Sequence, residues 1–291
     1  MYNSLSSTQI VPDPTSWLGD ALPDIPLSKA QTRVVGVIAG NPQLSSYAEL
    51  SDIAERAGVN SSTVVRTAQS LGYRGWPDLQ RELRARYLAT ISTVEKLTDS
   101  GDHQSPVHAA IHHDIENLQL TLEANSSSEV ESTVSALSSA RSIKVIGSGS
   151  FAGPATVMAH LGSTMGYPIS MEDRGGLHLV TSINTLDQND VLVVMNVWRQ
   201  IREVLSVAES AKQAGVTIVV VTDMRHGPLA AVADHLLIIP SEGISFFQSV
   251  TTATSVIYGL LSGMEAAQPE RSRAILRRSQ NLGKELDIYV D

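Results

Sequence analysis

Apolar positions between Leu27 and Leu88 recur every three or four residues and are cut by glycine, asparagine and proline, the pattern of several short amphipathic helices. Helical spacing begins after Leu27 and Ser28, runs through Val34, Val35 and Ile38, and stops at Gly40-Asn41-Pro42. Ala48, Leu50, Ile53, Ala54 and Ala57 form the next apolar stripe, with Ser46 as its expected N-cap and Gly58 as its stop. Asn60 is placed to cap a second helix, whose Val64, Ala68 and Leu71 return at i, i+4 and i+7. Two short helices around one tight turn are the order a helix-turn-helix needs. Ser61, Ser62, Thr63, Arg66 and Gln69 are left largely for the outer faces of its second helix. Short hydroxyls, amides and guanidinium groups read base edges in the major groove, so these five are the candidate contacts to double-stranded operator DNA. An ordinary helical hairpin has the same periodicity. Tyr73, Gly75, Trp76, Pro77 and Leu79 then make a turn and open a helix toward Leu88, with Trp76 packed on the bundle rather than stacked on a base.

The pattern changes from Ser142. Ile143 to Ile146 lead into Gly147-Ser148-Gly149-Ser150, and further β-branched runs follow at 191–195, 217–221 and 236–239. They alternate with helical segments near 153–165, 200–214, 228–233 and 246–264. Together they predict a parallel sheet with helices on both faces. The organisation read from these shifts is an irregular arm over 1–26, where prolines stand at 12, 14, 23 and 26, and a helix-turn-helix domain over 27–90. A hinge and connecting helix follow over 91–122, then an α/β domain over 123–265 and a charged C-terminal helix or tail over 266–291.

A chain of 291 residues with a formal net charge of -9 looks wrong for a nucleic-acid binder until the charge is divided by region. Residues 27–86 carry eight Lys or Arg against five acids, a net +3, which leaves -12 for the rest. A mildly basic head on an acidic body suits a protein that touches phosphates with one end only. There is no apolar run of 18 residues to span a membrane, and the N-terminus has neither the basic start nor the apolar core of a secretory signal. The absence of cysteine excludes disulfides and thiolate catalysis and fits a cytoplasmic location.

Ligands of open parallel sheets bind beyond the carboxyl ends of the strands, where the 147–150 turn, Asn196 to Gln200 and Thr222-Asp223 are expected to gather. Gly147-Ser148-Gly149-Ser150 follows a strand and precedes a helix, so its amides and hydroxyls suit an anion at a helix N-terminus. It lacks the third glycine of a dinucleotide site and the lysine of a P-loop. Arg174, Arg199 and Arg202 are the candidate partners for anionic charge, and Trp198 is a stacking surface or a packing residue. A catalytic reading is poorly supplied. His178 and His226 have no carboxylate at a diagnostic spacing, and Asp223 at a strand end is equally a turn residue. His112 and His113 are adjacent and cannot share a helix face, so no metal site and no cofactor is expected.

The two halves together resemble the RpiR/MurR family of bacterial transcriptional regulators, in which an N-terminal helix-turn-helix precedes a sugar isomerase (SIS) domain. The head carries the resemblance through Val59, Thr63, Val64 and Arg66, followed by Leu71-Gly72-Tyr73 and Gly75-Trp76. The body carries it through Ile146 to Ser150, Ala211-Lys212 with Gly215, Val221-Thr222-Asp223, and Pro228-Leu229 with Ala233-Asp234. The fold this implies is an all-α helix-turn-helix bundle joined to an α/β/α SIS-like domain with a parallel sheet. The function it implies is a DNA-binding regulator, dimeric or tetrameric, whose SIS domain senses a small anionic metabolite, commonly a phosphosugar. One departure bears on the ligand. Where many SIS domains have Ser-x-Ser-Gly-x-Thr, this chain has Asn196-Val197-Trp198-Arg199-Gln200-Ile201. Ser148, Ser150, Asn196 and Arg199 are therefore the expected ligand residues. The competing reading is a SIS-type sugar-phosphate isomerase or deaminase with an accessory helical domain.

Overall fold

The computed structural model describes residues 15–21, 26–91 and 105–288. The first fourteen residues of the expected arm and most of the expected hinge, residues 92–104, lie outside the described residues. The chain divides into two compact units, Met1–Asp99 and Ser100–Asp291.

The first unit is helical: α1 (Ser16–Ala21), α2 (Lys29–Gly40), α3 (Pro42–Tyr47), α4 (Leu50–Ala57), α5 (Ser61–Ser70) and α6 (Trp76–Thr90). Ser28 closes a capping box on α2, its hydroxyl accepting from Gln31 N while Gln31 Oε1 accepts from Ser28 N. Gly58 ends α4 in the left-handed region at φ 61°, a conformation that favours glycine. The expected apolar stripes meet in one core, where Val34, Ile38, Ile53, Val64, Leu71 and Leu79 are buried.

Ser46 does not cap α4. It lies inside α3, buried, with its hydroxyl donating to Pro42 O at 2.7 Å, and Glu49 occupies the N-cap position instead. The arm is not irregular throughout either, because α1 forms and delivers Trp17 and Leu18 into the head core. Trp17 meets Tyr73 edge-on at 6.1 Å, and the Arg86 guanidinium sits 4.4 Å from its ring centroid. That cation–π contact and the apolar burial hold a six-residue helix that local propensity alone would not.

The second unit opens with α7 (Pro106–Ala124) and α8 (Ser127–Ser139) and continues with β1 (Ile143–Gly147), a 3-10 turn (Gly149–Phe151), α9 (Ala152–Thr164), β2 (Ile169–Glu172), α10 (Leu177–Ile183) and β3 (Val191–Met195). It ends with α11 (Arg202–Gln213), β4 (Thr217–Thr222), α12 (Pro228–Val232), β5 (His235–Ile238), α13 (Thr251–Ala267) and α14 (Pro269–Glu285). Among the described residues the strands form one parallel sheet in the order β2-β1-β3-β4-β5. Alternate strand residues divide between two cores. Val145, Val193 and Val219 face Met158 of α9 and Ile257 and Leu260 of α13, whereas Ile146, Val194 and Val220 face Leu179, Val207 and Leu229. The fold is thus a helical helix-turn-helix bundle and an α/β/α layered domain.

The apolar pattern does not show β2, α8 or α10. β2 is a four-residue edge strand with a polar Ser170 and Glu172, too short for a period to show. α8 is rich in serine, which ordinarily favours turns. It forms because Ser126 caps it, Leu137 is buried and Val134 packs against α13 at Gly263, while the hydroxyls of Thr133 and Ser139 are satisfied by carbonyls four residues earlier. The helix expected to open near residue 246 begins only at Thr251.

Asn60 Oδ1 accepts from Thr63 N at 3.0 Å and from the hydroxyls of Ser62 and Thr63, each at 2.8 Å. Replacing Asn60 by alanine should therefore cost the head about 1 kcal/mol. A urea midpoint for the helical unit that does not move would contradict the cap.

Candidate functional site

The face of α5 turned away from the core is set by its buried face. Val64, Thr67, Ala68 and Leu71 point inward, so Ser62, Arg66 and Gln69, at i, i+4 and i+7, occupy the opposite side and are exposed. Ser61 is exposed at the helix start, while Thr63 lies on the flank and is half-buried. The five candidates do not present themselves equally. Thr63 uses its hydroxyl proton on Asn60 and Ser62 does the same, while Arg66 donates from Nε to Ser62 O at 3.2 Å and from Nη2 to Ser62 Oγ at 3.2 Å. Those bonds fix the guanidinium along the exposed side of the helix. Gln69 reaches Arg74 O at 3.4 Å.

Much of the positive charge of the head serves the fold. Arg33 donates to the carbonyls of Ala57 and Gly58, answering acceptors left open where α4 ends. Arg84 bonds Ser46 O, Arg81 pairs with Asp78, and Arg86 chelates the buried Glu82 at 2.5 and 3.0 Å. Arg66 is the arginine held on the outer face of the second motif helix.

In the second unit the sheet register decides what gathers at the carboxyl edge. Gly147 pairs with Met195 and Met195 with Val221, so the segments starting at Ser148, Asn196 and Thr222 leave the sheet side by side. Gly147 must be glycine. A Cβ there would lie 2.5 Å from Phe151 O and 2.7 Å from Ala155 Cβ, because the 148–151 turn doubles back onto the strand. Gly149 holds φ 60° within that turn. Ser148 is half-buried and Ser150 exposed, and among the described residues neither hydroxyl has a hydrogen-bond partner.

The second loop is arranged differently. Asn196 continues the sheet through its N–H to Val221 O at 3.1 Å, is only 6% exposed, and has its Oδ1 buried without a hydrogen-bond partner among the described residues. Trp198 adopts φ 64°, rare for a bulky residue, and its N–H donates to both carboxylate oxygens of Asp223 at 3.0 Å. The Ser241 hydroxyl lies within reach of both Asp223 Oδ2 at 3.3 Å and Gln248 Oε1 at 3.1 Å. Gln200 ties the far end of the loop to the same segment by accepting from Leu229 N. Arg199 is exposed, its guanidinium 5.0 Å from the Trp198 ring centroid. Asp223, the strand-end carboxylate that a catalytic reading would use, is engaged in holding this loop.

The other candidates disperse. Arg174 is committed to Glu172, donating from its backbone N and Nε to Oε1 and from Nη2 to Oε2 at 2.9–3.1 Å. Glu203 accepts from Gly176 N, and His178 stands exposed on α10. Among the described residues no three His, Asp or Glu side chains converge to hold a metal ion. Nothing local to Trp198 or Asp223 in the sequence marks their bond, a pairing 25 positions apart.

Residues 24–90 match the helix-turn-helix domain of the rpiR family, and residues 136–262 match the SIS domain. The chain has the architecture of an RpiR/MurR-type transcriptional regulator. The SIS domain of an RpiR transcription factor from Sphaerobacter thermophilus is similar at 29% identity and a TM-score of 0.59, over 62% of this chain and 99% of that one. The Vibrio vulnificus NanR protein, solved with ManNAc-6P, shares the fold at 20% identity and a TM-score of 0.60, over 93% of this chain and 98% of its own. An HTH-type transcriptional regulator of Haemophilus influenzae is 23% identical over 218 residues, 73% of this chain and 75% of the relative. The bifunctional protein glk of Paraburkholderia xenovorans is 26% identical over 223 residues. That match takes in 74% of this chain and 35% of the glk protein, so the chain spans about a third of that relative's length. Among the described residues no helix of this RpiR/MurR-type chain is long and apolar enough to cross a membrane.

The Glu172–Arg174 contact makes the carboxyl edge of β2 sensitive to acid. Hydrogen bonding from Arg174 holds the Glu172 carboxyl below its ordinary value, against the opposing effect of burial. A folded value below the unfolded one adds stability that is complete above an unfolded carboxylate pKa of about 4.3 and is lost as pH falls through the folded value. Glu172→Gln should lower the thermal midpoint at neutral pH and flatten its fall in acid. Parallel curves for the two proteins across the acid limb would contradict the pairing.

Proposed function

We propose that this protein is a sequence-specific regulator that binds double-stranded operator DNA as a homo-oligomer and is controlled by a small anionic metabolite of the phosphosugar class. The observation that carries the DNA half is the exposed Ser62, Arg66 and Gln69 face on a capped second helix, flanked by Ser61 and Thr63. A helix of ten residues reads few base pairs, so two copies on a near-palindromic site supply the length that specificity requires.

The effector half rests on the strand-end arrangement. Ser148 and Ser150 offer two hydroxyls on a glycine turn, and Arg199 offers a charge from the neighbouring loop. The amide of Trp198 is already taken by Asp223, whose carboxylate repels a second anion at that position. The anionic group of the effector therefore sits against residues 147–150 and Arg199, and Asn196 marks the side on which its uncharged part lies. NanR, which shares the fold, is solved with a sugar phosphate, and this supports the ligand class for this chain. Control of DNA affinity requires the effector to bind the two head arrangements unequally, since equal affinity shifts nothing.

Anisotropy titrations with an operator selected from random duplexes test the DNA reading. Arg66→Ala should weaken specific binding by about tenfold or more and relax preference at one position. Unchanged affinity, sequence preference and salt slope would place recognition elsewhere. Calorimetry with N-acetylmannosamine-6-phosphate, the unphosphorylated sugar and inorganic phosphate tests the effector reading. Ser148→Ala combined with Arg199→Ala should abolish the heat of whichever phosphorylated compound binds. Identical heats in the natural protein and the variant would move the site, and turnover of a compound would favour the isomerase.

A further inference from the structure

The last helix of the effector unit begins packed and ends bare. Near its start, the Arg271 guanidinium lies 4.6 Å from the Tyr167 ring centroid and donates to Gly166 O, and Ile275 presses so closely on Gly166 that a Cβ there would clash with it at 2.6 Å. Leu282 and Leu286 follow Ile275 at i+7 and i+11, on the same side of the helix. They are 51% and 62% exposed. The apolar side that anchors α14 thus runs on past the body that anchors it. The helix is basic as well, with Arg271, Arg273, Arg277, Arg278 and Lys284 against Glu270 and Glu285.

A complementary surface lies at the opposite edge of the sheet. α7, α8, α13 and β5 enclose an open cleft of about 510 Å³ lined by Leu118, Leu122, Val130, Leu237, Val256 and Leu260. Leu122 on its wall is 81% exposed, and a Cβ added at Gly259 would meet nothing within 4 Å. Val107, Ile111 and Ile115 continue the apolar stripe along α7, all three exposed. The two helices that supply this surface, residues 106–139 with their connection, contain five acids (Asp114, Glu116, Glu123, Glu129, Glu131) and no Lys or Arg. Glu131 is exposed at the cleft itself.

α14 is anchored beside β2, and the cleft includes Leu237 of β5. Four strand spacings of about 4.8 Å put these edges roughly 19 Å apart. The exposure of Leu282 and Leu286 shows that the helix end does not lie in its own cleft. We propose that the projecting end of α14 from one copy seats in the α7–α8 cleft of a second copy, its basic side against the acidic rim, with the same contact made reciprocally. One chain carries both halves, so a two-fold arrangement satisfies both at once and closes the assembly. Opposite net charge across the contact steers the pairing, and the apolar strip supplies the contact area.

The proposal rests on the self-association of the effector unit, and sedimentation velocity on the full chain distinguishes the two. A natural protein that is monomeric at micromolar concentration contradicts both. If it is dimeric, Arg277→Glu with Arg278→Glu, and separately Glu116→Arg with Glu131→Arg, should each raise the dimer dissociation constant at least tenfold at low salt, with helical circular dichroism unchanged. Mixing the two variants should restore dimers, because each helix then meets a cleft of opposite charge in both contacts. Variants that stay dimeric, or that dissociate and do not reassociate on mixing, overturn the assignment. Leu282→Ser with Leu286→Ser tests the same contact without reversing charge. It should also dissociate the dimer tenfold or more, and an unchanged constant would count against the helix end as the docking element.

Discussion

A parallel sheet covered on both faces leaves its polar chemistry one exit, the ends of the strands, and that constraint organises the effector unit. β3 is buried at every position and β4 at all but its first. Register then fixes which loops become neighbours, and the close return of residues 148–151 onto Gly147 fixes how the first of them lies. With the loops in place, a single carboxylate decides the state of the second one. Asp223 binds the Trp198 amide through both oxygens and holds that residue in a left-handed conformation it would otherwise avoid. In the first turn the serine hydroxyls have no such commitments. The two strand-end loops therefore differ in kind: the first leaves two serine hydroxyls uncommitted among the described residues, and the second is already closed on an internal carboxylate.

The head shows the same economy of charge. Its net +3 looks like a general attraction to phosphate, yet Arg33, Arg81, Arg84 and Arg86 are spent on carbonyls and carboxylates of the bundle. Arg86 links the buried Glu82 to the Trp17 ring and so helps to hold α1 on the core. What faces outward on α5 is a narrow strip of one guanidinium, hydroxyls and an amide. A strip of that size offers little of the diffuse positive charge that non-specific adhesion to DNA requires.

The elements that were legible in the sequence are those whose local chemistry and tertiary role agree. Gly58 and Asn60 punctuate the helix pair, and β3 and β4 read as near-continuous apolar runs because both their faces are buried, as β1 does apart from the half-buried Lys144. Trp76 was rightly assigned to the bundle core. The failures have two causes, tertiary contact overriding local preference and elements too short to show a period. α8 is a serine-rich helix made stable by packing, α1 is a short helix made stable by Trp17, and Ser46 looked like a cap only because α3 was not seen. At the strand ends the sequence located the loops, while their state depends on Asp223 and Ser241, which lie far along the chain.

Hydrogen exchange at the Trp198 amide of the full, unliganded chain tests most directly whether the second loop is closed by its own carboxylate. The account predicts slow exchange in the natural protein and exchange at least tenfold faster in Asp223→Ala, with the amides of Val193 and Val219 in the adjoining strands unchanged. Rapid exchange at Trp198 in the unliganded protein, or a rate indifferent to Asp223→Ala, would contradict it.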